Sequence, residues 1–504
     1  MALLAAGCGG GDDDDATEDT EAPAGDDDGA TDTTAPREEV PEDLANLEID
    51  RSQRFAPLDT FCKPSDEEPE EAPEATDEGI TEDSIAISHI RVTLEDLEGI
   101  GFAIPIGEPA DQVETFVNIV NERCGGIHGR MLDLSLVEAP PLAPAGQDPA
   151  AIAEAACIEA TEDNQAVFAF SGSGWGGQGG ASCVVGDHDT IFLTTYTISP
   201  DDLAVSENRL YSVAHSPEQA LRYLAKTLDA DGELEGKTIG VVQADGVGEP
   251  EIVQAGLIDT LEDLGYEVAR VDTLGCGGGN SCTEGVIPAA QGMIADGVDA
   301  IFPLLNVISM PAFIQELVNQ GAQPGDFQFF NTSYNAQSGD LVSSKVIDFG
   351  GPEAGALYNG AIIVASGATG DFRTPGYEPP EFAEMCNREY QEAGGDVYTA
   401  TDPETNSAYG ATTGSCSFVR LIARAVDMAG PNPTREDLAE AMENMGAIDG
   451  GNQIPSSFAP GKYTAPNQLN RMIWNYPCPE DMKPFGPGMC ILPEGEAFPV
   501  PTDD

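Results

Sequence analysis

The run Ser171-Gly172-Ser173-Gly174-Trp175-Gly176-Gly177-Gln178 combines two hydroxyls, an indole and four glycines. It follows the apolar segment Ala166–Phe170 and precedes a helical stretch that reaches Cys183. Free backbone amides at a helix N-terminus, with hydroxyls beside them, suit a carboxylate or another anion. An indole in the same loop can stack on an apolar ligand face. Gly172 to Gly177 also formally satisfies GxGxxG, the dinucleotide fingerprint. That loop, however, follows the third strand of its block, and no acid stands at the end of the next strand to take a ribose. Gly172-Ser173-Gly174 lacks the second spacer of a nucleophile elbow, and no Ser/His/Asp set assembles around it. His89, His128, His188 and His215 are scattered, and no CxxC or HxxxH spacing occurs, so no metal site is expected. The chemistry on offer is binding: no catalytic residue, no cofactor and no metal.

Cysteines and charge set the compartment. Cys8, in Leu4-Ala5-Ala6-Gly7-Cys8-Gly9-Gly10, stands where a lipoprotein signal is cut and the new terminus acylated. The basic and most of the apolar part of such a signal are missing, which points to a start codon further upstream. The other ten of the 11 cysteines are an even number, suited to disulfides in an oxidising compartment. Cys157 and Cys183 flank the 166–170 strand on neighbouring helices. Cys276 and Cys282 bracket a Gly-rich loop, Cys478 and Cys490 pin the C-terminal tail, and Cys386 and Cys416 join two late helices. Cys62 and Cys124 pair by elimination.

The 504 residues carry 21 Lys plus Arg against 89 Asp plus Glu, a net charge of −68. Residues 1–80 hold 26 of the acids and 4 of the bases, so the remainder is strongly acidic in its own right. Nucleic acid and anionic lipid are excluded as partners by repulsion. A saline habitat is one setting in which a dense carboxylate surface stays hydrated. No window after the N-terminus reaches the roughly 20 apolar residues of a membrane span.

The elements that must position these residues fall into two α/β blocks. Residues 9–79 are rich in Asp, Glu, Pro and Thr and read as an acidic disordered tether. It is interrupted by Phe55–Cys62, apolar enough to dock on the body. In the first block, strands are expected at 84–92, 131–137, 166–170 and 191–195. Helices fall at 110–123, with Gly125-Gly126 past its end, and at 148–160, capped by Asp148. The pattern restarts at Ser216-Pro217. Strands follow at 238–243, 267–273, 300–305 and 327–330, with helices at 217–228, 249–264, 286–296 and 310–320. Residues 355–504 read as one strand (361–365), helices at 381–392, 408–429 and 434–445, and a Pro/Gly-rich tail. Alternating strand and helix implies two parallel sheets, each covered on both faces.

Gly79-Ile80-Thr81-Glu82-Asp83-Ser84-Ile85, followed by Phe116–Asn121 and Cys124-Gly125-Gly126-Ile127-His128-Gly129-Arg130, resembles the branched-chain amino acid type of extracytoplasmic solute-binding proteins, receptors of ABC importers. The resemblance covers about 80–475. It implies an α/β fold of two Rossmann-like lobes with parallel sheets, joined by three crossovers, as in type 1 periplasmic binding proteins. The crossovers would fall near 205–215, 340–356 and 455–470. The first lobe would comprise 80–208 and 345–460, the second 209–344 and 461–475, with a tail over 476–504. By position, the first lobe would contact ligand through Ser173, Trp175, Tyr196 and Ser199. The second would do so through Asp245, Asn306, Asn331 and Tyr334. Amino-acid binders of this type usually carry an acid near the third loop of the second lobe. Here Asn331 and Tyr334 stand there, and Asp245 is the one acid clearly placed, so an amide, carboxylate or neutral solute is equally open. The resemblance implies a monomer held by acylated Cys8 to the outer face of the cytoplasmic membrane, with a small solute and an importer permease as partners. The same two-lobed domain also serves in signalling receptors.

Overall fold

The structure is a computed structural model that describes residues 48–64, 72–93, 104–140, 147–177, 179–195, 199–246, 248–277, 281–451 and 454–501. Cys8 and the acidic tether before residue 48 lie outside the described residues.

The first block alternates as its apolar periodicity requires. β1 (Ser84–Val92), α1 (Pro109–Asn118), β2 (Met131–Ala139), α2 (Pro149–Ile158), β3 (Phe168–Ser171), α3 (Gly180–Ser182), β4 (Ile191–Thr194), α4 (Pro200–Val205) and β5 (Leu210–Ser212) follow in order. The strands form a parallel sheet in the order β2-β1-β3-β4-β5. Asp148 caps α2, accepting from the Ala150 amide at 3.0 Å. Past α1, Gly126 has φ 71°, and a Cβ there would lie 2.3 Å from the Arg130 carbonyl oxygen, so only glycine makes this turn.

The second block comprises α5 (Pro217–Ala230), β6 (Ile239–Ala244), α6 (Glu249–Val253), α7 (Asp259–Asp263), β7 (Val268–Leu274), α8 (Val286–Ala295), β8 (Ala300–Leu304), α9 (Ser309–Asn319), β9 (Gln328–Asn331), α10 (Asp340–Ser343), α11 (Lys345–Tyr358) and β10 (Ile362–Ala365). Ser216 and Gln219 close a reciprocal capping box at the start of α5. The chain then returns to the first lobe with α12 (Glu381–Glu392), α13 (Asn406–Ala429), α14 (Arg435–Glu443) and the hairpin β11 (Gly446–Ile448)–β12 (Ser456–Phe458). It ends in the second lobe with β13 (Gln468–Asn475), β14 (Cys490–Pro493) and β15 (Phe498–Pro499). The second sheet runs β14-β13-β10-β9-β8-β6-β7, with β15 on β13.

Two expectations about the C-terminal third need correction. Residues 345–365 do not return to the first lobe: β10 pairs in parallel with β9, and α11 contributes Val346, Leu357 and Tyr358 to the second core. The second crossing therefore falls after β10, at 366–380, rather than at 340–356. Residues 476–501 are also more than a tail. β14 and β15 both pair antiparallel with β13, and Ile491 is buried beside Trp474 and Met472. A short all-apolar strand buried on both faces looks the same whichever sheet receives it, so its partner is a tertiary decision.

All five expected disulfides are present: Cys62–Cys124, Cys157–Cys183, Cys276–Cys282, Cys386–Cys416 and Cys478–Cys490. The apolar interruption at 55–62 docks on the first lobe, where Phe55 and Phe61 are fully buried in its core. The buried Arg420 of α13 donates to the Phe55 and Pro57 carbonyls. Arg51 makes a two-pronged ion pair with Asp449 at 2.6 and 2.9 Å.

Candidate functional site

A cavity of about 420 Å³ lies between the lobes, a size suited to a small organic ligand. The first lobe supplies His89 of β1, Gln112 of α1, Phe170 of β3, the Gly172-Ser173 turn and Thr195 after β4. α13 presents Gly410, Ala411, Gly414, Ser415 and Phe418, mostly small residues that leave room. Gly414 also lets the chain pass closely: a Cβ on the facing Gly451 would sit 2.8 Å from its Cα. The second lobe supplies Ser333 and Ala336 after β9, Ser338–Val342 at the start of α10, Ser366 and Gly367 after β10, and the rings of Phe372 and Phe485. Contributions thus come from the carboxyl ends of strands in both sheets, where open α/β sheets place their ligands.

The electrostatics of the lining are unusual for an ion-binding site. Among the described lining residues there is no Lys or Arg, and Asp340 is the one acid. Asp340 is already paired with the fully buried Arg373 at 2.8 Å, a contact that ties α10 to the segment before α12. Burial pushes the Asp340 carboxyl up, against the pull of Arg373. His89 is buried, and that burial, reinforced by the nearby Arg91 charge, lowers its pKa to about 3. Its ring is therefore neutral and stacks on Phe170 at 5.0 Å with an interplanar angle of 5°. Gln112 is held by the Ile106 carbonyl at 2.9 Å and by the Ser415 hydroxyl at 3.2 Å. His89 Nδ1 and Thr195 Oγ1 are buried with no hydrogen-bond partner among the described residues.

The expected site residues separate into those the cavity uses and those the fold uses. Ser173 lines the cavity; its hydroxyl also accepts from the Val92 amide at 2.8 Å, fixing the turn to the end of β1. Trp175 does not reach the cavity. Its ring packs edge-on against Phe192, 5.6 Å away, and closely against Gly180, so the glycine loop serves helix–strand packing at that point. Ser199 caps α4 in a box with Asp202. Tyr196 lies outside the described residues.

In the second lobe, Asp245 accepts from the Cys276 amide at 2.7 Å and braces the disulfide loop. Asn306 accepts from the Ile308 and Ser309 amides at the start of α9. Asn331 is buried and donates to the Tyr358 hydroxyl. Tyr334 is buried beside Glu249. None of these four lines the cavity, because polar residues at strand ends also serve to cap and brace the next loop.

Reasoning from the loops alone missed His89, Thr195, Phe170, Phe418 and Phe372. A signal existed for His89: Ser88-His89 is a polar pair between the apolar residues Ile87 and Ile90 of β1, and it is buried with them. The α13 contribution carried a fainter one, small residues at 410, 411, 414 and 415 of one helix. Among the described residues one group has metal-ligand types close together, Cys157, Cys183 and His188, but the two thiols are joined to each other.

Comparison with known proteins agrees with this architecture. A family model described as periplasmic binding protein matches residues 110–472. The fold is similar to that of an ABC transporter solute binding protein from R. palustris in complex with 4-hydroxybenzoate, at 14% identity and a TM-score of 0.57, covering 83% of this chain and 98% of that one. It is similar to a branched chain amino acid ABC transporter protein from Thermus thermophilus with bound valine, at 12% identity and 0.53, covering 83% and 97%. It also resembles a fatty acid ABC transporter substrate-binding protein from Thermomonospora curvata, at 17% identity and 0.53, covering 85% and 97%. No curated protein matches the sequence. With a two-lobed fold, a cavity between the lobes and a family match over most of its length, this chain belongs to the periplasmic binding proteins.

Proposed function

We propose that the cleft takes one small, largely apolar solute carrying one or two hydrogen-bonding groups, and that the protein hands it to an importer permease without altering it. The observation that carries this reading is the lining: Phe170, Phe372, Phe418 and Phe485 with hydroxyls between them, and no unpaired ionised side chain among the described lining residues. A zwitterionic amino acid would bury its ammonium opposite no free carboxylate, which is costly. A carboxylate could still be met by hydroxyls and backbone amides, as neutral donors suffice for an anion. Of the compounds named for the similar structures, 4-hydroxybenzoate and a fatty acid suit this lining better than valine. Contact with both lobes would favour the closed form by the ligand's differential affinity for it.

Titration calorimetry with 4-hydroxybenzoate, benzamide, octanoate, valine and leucine tests the reading. Heat from an aromatic or aliphatic compound, with weak or no response to the amino acids, is expected. Tightest binding to valine or leucine would refute it. The same reading places the receptor outside the cytoplasmic membrane on a lipid at Cys8, as a monomer. Cys8→Ser should release it to the soluble fraction with solute binding intact; retention on the membrane would end the anchor assignment.

A further inference from the structure

Two buried polar atoms in the cavity wall lack partners among the described residues, His89 Nδ1 and Thr195 Oγ1. An unpaired buried donor or acceptor is destabilising unless something else meets it. The plane of the ring is held, because it lies flat against Phe170 inside the sheet. Strand pairing holds the position as well: His89 is in register with Phe170 on β3 and with Leu136 on β2. Thr195 follows directly on β4, which pairs with β3 through Ser171 and Thr194. His89 therefore sits on β1 and Thr195 just past the end of β4, two strands of one sheet with β3 between them.

Resting on the receptor reading above, we propose that His89 and Thr195 determine specificity by recognising one uncharged hydrogen-bonding group, a hydroxyl or carboxamide, on an otherwise apolar solute. A neutral imidazole and a hydroxyl can each give or take one hydrogen bond, and neither supplies a charge. They suit a group that also gives and takes. An analogue lacking that group leaves both atoms unmet, so discrimination comes from the cost of the empty position. The surrounding rings of Phe170 and Phe418 accept either analogue and add affinity without choice.

The test is calorimetry on the full chain with the matched pair 4-hydroxybenzoate and benzoate, and with benzamide. The wild type is expected to prefer the hydroxyl-bearing member about tenfold or more. His89→Phe keeps a flat ring on Phe170 and should bring the ratio close to one while benzoate still binds. His89→Asn, which returns a polar group near the Nδ1 position, should restore part of the preference, and Thr195→Val should reduce it. A wild-type ratio near one overturns the inference, as does an unchanged ratio in His89→Phe. Equal loss of both ligands in that variant also overturns it, since the ring would then only shape the cavity. Absence of binding by every compound, in wild type that unfolds cooperatively, refutes the receptor reading and this inference with it.

Discussion

His89 and His215 are both buried and both held at a pKa of about 3, chiefly by loss of hydration. Their contribution to stability is present above pH 6.5, the ordinary histidine value, and is lost as pH falls from there towards 3. Glu249 behaves oppositely. Burial raises it to about 7, the neighbouring Asp245 charge pushes the same way, and Tyr334 opposes both. The folded state keeps that proton to higher pH than the unfolded chain, so stability declines as pH rises from about 4.5 through 7. Glu249→Gln should remove this component. In urea titrations at pH 5 and pH 8, the variant should gain on wild type at the higher pH; a difference independent of pH would refute the assignment. After β9, Asn335 and Ala336 adopt φ of 51° and 59° in succession, a conformation that costs non-glycine residues on the order of 1–3 kcal/mol each. Ala336 lines the cavity. Replacing Ala336 with glycine should therefore raise the unfolding midpoint slightly, while Ala336→Val should lower it.

Among elements, the N-terminal segment 48–64 carries its apolar stretch into the core of the first lobe. An extension that places Phe61 against Phe116, 5.7 Å between ring centres, behaves as a missing piece of the first lobe. Phe61→Ala should cost about 3–5 kcal/mol, read from denaturant midpoints. Opening its staple with Cys62→Ser and Cys124→Ser together should cost about 2–4 kcal/mol. The segment also reaches towards the cleft: Arg51 holds Asp449, whose carbonyl accepts from Ser417 on α13, two residues before Gly451 in the cavity wall. At the start of α5, Ser216→Ala should cost about 1 kcal/mol by removing one half of the capping box.

For the whole molecule, the charge dominates. A net −68 on one chain destabilises the compact state by self-repulsion, and salt screens that repulsion within about 10 Å at 0.1 M. The thermal midpoint should climb steadily between 0.05 and 1 M NaCl; a flat response would show that local ion pairs offset the repulsion at low salt. The arginines are few and heavily used: Arg471 alone meets Asp231, Glu233 and Glu494. Arg471→Met should therefore lower the midpoint at low salt more than at high salt. Among the described residues no helix is long and apolar enough to cross a membrane.

The periodicity of the chain was enough to determine the two α/β blocks, because a strand buried on both faces and an amphipathic helix leave distinct local patterns. Helix ends at Asp148, Ser216 and Gly126 were legible for the same reason: capping is decided within a few residues. Cys157 and Cys183 could be paired from order alone, since neighbouring crossovers in a parallel sheet bring their helices together. The assignment of β10 and β14 to the second sheet was not legible, nor was the role of Trp175. Each depends on which surface stands opposite, and that surface comes from residues far away in the chain. The cavity is the clearest case. Ser173 carried a local signal and is there, whereas His89 and Phe418, 329 positions apart, line one space only because both pack on Phe170 of β3. Loop composition marks where a chain can bind; which side chains line the space is decided by packing, and packing is the part of the free energy that no local window contains.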